Sequence, residues 1–78
     1  MNLEQIKENS VSMLVALEVE MAKAEQEARN ALRQYQYANK TDEDAYLEYY
    51  TVLSQKVSKL SSTINTLKNF IFTLNQVK

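Results

Sequence analysis

Histidine, cysteine, tryptophan, glycine and proline are all absent from this chain. Without Cys there is no disulfide, no thiolate nucleophile and no Cys-ligated zinc. Without His the commonest general base and metal ligand is gone. Without Gly or Pro the chain has almost no punctuation, so long uninterrupted helices are the default. An excess of either charge is lacking too: the formal net charge is −1, far from the basic footprint of a nucleic-acid binder. No enzyme, cofactor, metal or nucleic-acid partner is therefore expected.

What remains is 78 residues, read as a single domain over 1–78. A domain of this size buries only about 60% of its unfolded surface and is often marginal alone. With disulfide and metal staples excluded, oligomerisation or a partner is the remaining remedy. The start, MNLEQIKENS, has no basic stretch and apolar core of a signal peptide. The most apolar window, Val11 to Ala22, is too short to cross a bilayer and contains Glu18 and Glu20. A cytoplasmic protein without a membrane span is the expectation.

The segment SQKVSKLSSTINTLKNFIFTL (Ser54 to Leu74) places Val57, Leu60, Ile64, Leu67, Ile71 and Leu74 every third or fourth residue. Such a stripe needs a partner helix. Extended upstream, it gives a heptad with Tyr50, Val57, Ile64 and Ile71 at a. Tyr46, Leu53, Leu60, Leu67 and Leu74 fall at d. The first half keeps its own heptad, with Leu14, Met21, Ala28 and Tyr35 at a and Leu17, Ala24, Ala31 and Ala38 at d. Folded at residues 40–41, the two seams meet at positions summing to about 81. Leu14 then faces Leu67, Leu17 faces Ile64, and Ala28 faces Leu53. The spacing predicts an all-α fold, an antiparallel two-helix hairpin (a coiled coil) roughly 50 Å long at 1.5 Å per residue.

The ends of the helices are read from capping residues. Helix 1 is expected over about 2–38, the loop over about 39–41 and helix 2 over about 42–77. Asn39 can take the left-handed conformation that ends a helix when Gly is absent. Thr41 would then cap helix 2, with Asp44 completing a capping box. Asn2 and Gln5 can do the same at the start. Charge agrees with antiparallel pairing. Residues 1–44 carry nine acids and five bases, and residues 45–78 one acid and four bases. The rival is a parallel two-stranded coil, which also favours β-branched residues at a with Leu at d. Its flanking positions here hold Ser54, Lys56, Ser61, Thr63, Lys68 and Phe70, which make no charge zipper.

One seam does not use all the apolar residues. Ile6, Val11, Met13, Val15 and Val19 lie off it on helix 1, and Phe70, Phe72 and Val77 on helix 2. They gather at the open end and are the candidate protein interface. A smaller group, Leu32, Tyr37, Leu47, Tyr49 and Val52, lies near the loop. Either group can thicken the core of a bundle or present a face to another protein.

Three chemical readings are weaker. Glu18, Glu20, Glu25 and Glu27 could suggest a carboxylate metal site, but such sites in bundles use inward Glu-x-x-His pairs, and there is no His. Tyr35, Tyr37, Tyr46, Tyr49 and Tyr50 could stack bases, but acids crowd the basic residues nearby. They are expected to pack at the loop end with hydroxyls reaching water. The polar back of helix 2 (Ser58, Ser62, Asn65, Thr66, Asn69, Thr73) reads as solvated, or as a polar interface.

Three stretches, LEQIKENS (Leu3 to Ser10), LEVEMAKAEQEA (Leu17 to Ala28) and DEDAYLEYYTVLSQKVSKLSSTINTL (Asp42 to Leu67), carry a family resemblance. The chain resembles the small E-component co-chaperones of type III secretion needles. It departs from them in its longer, Ala-rich helix 1, its lack of Gly in the turn and the many Ser/Thr residues of helix 2. The resemblance implies a helical hairpin that helps to hold an aggregation-prone needle subunit in the cytoplasm, together with a second chaperone. The expected function is a non-enzymatic interaction module of that kind, shielding an apolar helix of another protein. The alternative is a self-assembling structural or regulatory four-helix-bundle homodimer, for example a phage-encoded host-interaction protein.

Overall fold

Heptads on both halves and a single break between them give two helices, and in the computed structural model, which describes residues 2–77, two helices are what form. Helix α1 runs over Leu3–Tyr37 and α2 over Lys40–Asn75. Among the described residues there is no strand. The helices pack along one another as a hairpin measuring 60 × 16 × 14 Å. Its radius of gyration is 17.6 Å, whereas a compact chain of this length would have about 11.5 Å. There is no globular core, only a seam.

The expected a and d positions hold the seam. Along α1 the covered side chains include Leu14, Leu17, Met21, Ala24, Ala28, Ala31 and Tyr35. Along α2 they include Tyr46, Tyr50, Leu53, Val57, Leu60, Ile64, Leu67, Ile71 and Leu74. The grooves beside the seam agree with the expected register. Met13 and Leu17 line one with Ser62, Leu67 and Phe70. Ala28 and Leu32 line another with Tyr50, Ser54 and Val57. The most buried residues are small ones: Ala31 is 1% exposed and Ala24 2%. Helices approach closely where only a methyl group stands between them. Of the large side chains only Ile64 and Leu53, at 3% and 5%, are as well covered.

The seam also runs one heptad further towards the N-terminus than the apolar pattern indicates. Leu3 and Lys7 are partly covered, and Ser10 is buried. Ser10 Oγ donates to the Ile6 carbonyl at 2.7 Å, so its hydroxyl is satisfied within its own turn. Here α1 offers polar groups while α2 still offers Ile71 and Leu74.

The connection is shorter than expected and built differently. Only Ala38 and Asn39 separate the helices. Asn39 is not left-handed: its backbone is extended (φ −77°, ψ 170°), and no described residue has positive φ. Instead of ending α1, Asn39 starts α2, its Oδ1 accepting from the Asp42 N–H at 3.1 Å. Thr41 and Asp44 therefore lie inside the first turns and form no capping box. The physical reason is that Asn caps at least as well as Thr and stands two residues earlier. Asp42 and Glu43 then fall in the first turn, where the helix dipole favours them. At the chain start the expected box forms: Asn2 Oδ1 accepts from Gln5 N–H at 2.9 Å, and Asn2 N–H donates to Gln5 Oε1 at 3.3 Å. Replacing Asn39 by Ala removes the α2 cap and is expected to cost about 1 kcal/mol, measured as a shift of the urea midpoint. Replacing Thr41 by Ala should leave the midpoint near its wild-type value, the opposite of what a Thr41 cap requires.

Candidate functional site

A two-helix seam covers one stripe of each helix and leaves the rest to water or to another molecule. Of the eight candidate interface residues, seven are exposed: Val11, Met13, Val15, Val19, Phe70, Phe72 and Val77. Ile6 is partly covered. The loop-end group, Leu32, Tyr37, Leu47, Tyr49 and Val52, is exposed as well, Tyr37 most of all at 84%. Tyr35, Tyr46 and Tyr50 instead contribute to the seam, so the five tyrosines do not act as one cluster.

The open-end residues do not form one patch. The seam divides them into two flanks. On the first flank lie Val11, Val15 and Phe72, with Leu32 and Leu47 nearer the loop. Its grooves are lined by Glu4, Lys7, Glu8, Val11 and Asn75 at the open end, and by Glu25, Arg29, Leu32 and Ser54 further along. Glu18 Oε2 and Lys68 Nζ cross the hairpin here at 3.9 Å, with about half of each side chain exposed. Such a pair adds little stability. Along α1 this flank carries more acids, Glu4, Glu8, Glu18 and Glu25, than bases, Lys7 and Arg29.

On the second flank Met13 and Phe70 face one another across a groove of about 440 Å³, with Thr63 and Thr66 beside them. Ile6 and Val77 lie beyond them towards the open end. Towards the middle, Val19, Glu20, Lys23, Glu27 and Lys56 line a polar trough. Val52 and Lys59 extend the same side along α2. Val19 sits nearest the back of α1. The flanks follow from heptad letters. Val11 stands one residue after a d position, and Met13 one residue before an a position.

On the polar back of α2 two threonines bond within their own helix. Thr66 and Thr73 donate to the Ser62 and Asn69 carbonyls, four residues back, at 3.0 Å each. Among the described residues no three acidic side chains converge in a way that could hold a metal ion, and no helix is long and apolar enough to cross a membrane.

The chain matches no family model, no curated protein and no solved structure. The site therefore has to be read from its own chemistry. Area is part of that chemistry. The hairpin exposes 6047 Å², while a compact monomer of 9.0 kDa would expose about 4,850 Å². The excess is about 1,200 Å², the scale of a protein interface rather than of a small-molecule pocket.

Proposed function

We propose that the hairpin is a non-enzymatic interaction module that covers an apolar helix of another protein, in the manner of the secretion co-chaperones it resembles. The observation that carries this reading is the first flank. Val11, Val15 and Phe72 at one end and Leu32 and Leu47 at the other bracket Glu18 and Glu25 on α1. From Val11 to Leu32 is about 30 Å along a helix at 1.5 Å per residue. A docked amphipathic helix of about 20 residues would span it. Its apolar stripe would meet these five side chains, and lysines or arginines beside that stripe would meet Glu18 and Glu25, with Glu8 one turn beyond Val11. Acids on the incoming helix would be repelled, so the flank selects by charge as well as by shape. A cytoplasmic setting fits this role, in which an aggregation-prone chain is kept covered before it is used.

The test is a nuclear magnetic resonance titration of the full chain with two synthetic amphipathic helices. They share a leucine stripe and differ only in carrying lysine or glutamate beside it. The lysine peptide is expected to shift the signals of Val11, Val15, Leu32, Leu47 and Phe72, more weakly as salt is raised. Val15→Glu should abolish those shifts. Equal binding of both peptides, or no shifts on this flank, would overturn the reading.

A further inference from the structure

The second flank differs from the first in a way that decides what fits it. Its acids, Glu20 and Glu27, are on α1 with Lys23 between them, whereas α2 brings only bases to the same stretch, Lys56 and Lys59. The one ion pair among the described residues is on the other flank, so none of these is paired within the hairpin. Each hairpin thus carries, on one face, both halves of a complementary set. We infer that this flank is a self-docking surface, occupied by a second copy of the chain with its two-fold axis along the hairpin and the open ends together.

That orientation follows from the charges. A two-fold axis across the hairpin would lay α1 on α1 and α2 on α2, which sets Lys56 and Lys59 against their own copies. An axis along it lays α1 on the second copy's α2, with residues at equal height in contact. Glu27 then meets the second copy's Lys56, and Glu20 lies near its Lys59. Met13 meets the second copy's Phe70, and Phe70 its Met13, so one four-sided apolar layer closes the groove. The same packing on the first flank would set Glu18 and Glu25 against Ser61 and Ser54, with Lys68 already paired to Glu18 and Arg29 beside Glu25 on its own helix. This inference rests on the interaction-module reading only in requiring covered flanks, and it leaves the acidic flank free.

The experiment uses charge reversal in two separate proteins, Glu27→Lys and Lys56→Glu, with sedimentation across a hundredfold concentration range. Wild type is expected to dimerise. Each single variant places like charges together in its own homodimer, and its dissociation constant should rise about tenfold or more. Mixed in equal amounts, the two variants should recover a heterodimer near wild-type affinity. In that pair the two reversed positions meet at one contact, and the native Lys56 and Glu27 meet at the other, so opposite charges face each other in both. Glu48→Gln, on the outer back of α2, should behave as wild type. Circular dichroism on each variant alone checks that the hairpin still forms. A wild type that stays monomeric throughout, or a mixture no tighter than its components, overturns the inference. If dimerisation fails while the lysine peptide still binds the acidic flank, the self-docking surface is wrong and the function proposed above stands.

Discussion

Leu53→Ala and Ile64→Ala are each expected to lower stability by about 2–5 kcal/mol, as for buried large-to-small changes. A 78-residue chain holds about 4–12 kcal/mol in all, so either change removes a large fraction of it. The reason lies in the seam's composition. Most of its large side chains are only partly covered, and the fully covered positions of α1 are alanines or Ser10. Leu53 stands at the level of Ala28, so truncating it leaves alanine facing alanine with a hole between them. Neither neighbour can fill that hole without moving a whole helix. Val52→Ala, one residue away on the exposed side, is the control and should cost well under 1 kcal/mol. The measurement is urea unfolding followed by helical circular dichroism. Equal costs for Val52 and Leu53 would place the seam on the wrong face of α2.

Ala31→Leu carries the second-largest expected effect, and its sign is the informative part. It adds apolar bulk to a seam that has little. Ala and Leu are both strong helix formers, so propensity hardly enters. Yet Ala31 is 1% exposed, and a leucine there would meet the backbone and side chains of α2 around Tyr50. Overpacking is expected to cost about 1–3 kcal/mol. Ala22→Leu, at an exposed position on the same helix, should be near neutral. If Ala31→Leu instead stabilised the hairpin, the helices near the loop would have to stand further apart than described.

The seam was legible because its determinants are local and periodic. Leu14 to Tyr35 and Tyr46 to Leu74 repeat without a break, and one register satisfies both. The turn was not, because Asn is equally suited to ending a helix in the left-handed conformation and to starting one as a cap. In the structure Asn39 caps α2, its Oδ1 accepting from the Asp42 N–H. Ser10 and Lys7 were hidden by their polarity. Counting back seven from Leu14 reaches Lys7 and seven from Leu17 reaches Ser10, but an apolar pattern does not flag them. The eight candidate interface residues were legible as apolar residues off the seam, but not as two sets. Side-by-side placement at the open end depends on which side of the seam each one leaves, and Val11 and Met13, two residues apart, leave on opposite sides.

The uneven seam gives the hairpin a direction of opening. At the tips, α1 presents Lys7 and Ser10 to Ile71 and Leu74. Near the turn, Ala24 and Ala31 let the helices touch along their backbones. Local opening is favoured where apolar burial is least, so the polar layers at the tips would part more readily than those closed by Leu53 and Ile64. Each layer released uncovers more of the apolar edge of α2, beginning with Leu74 and Ile71 and then Leu67. A visiting helix that seats itself there replaces a seam contact with one of its own. The exchange would then proceed layer by layer, without either arm having to unfold.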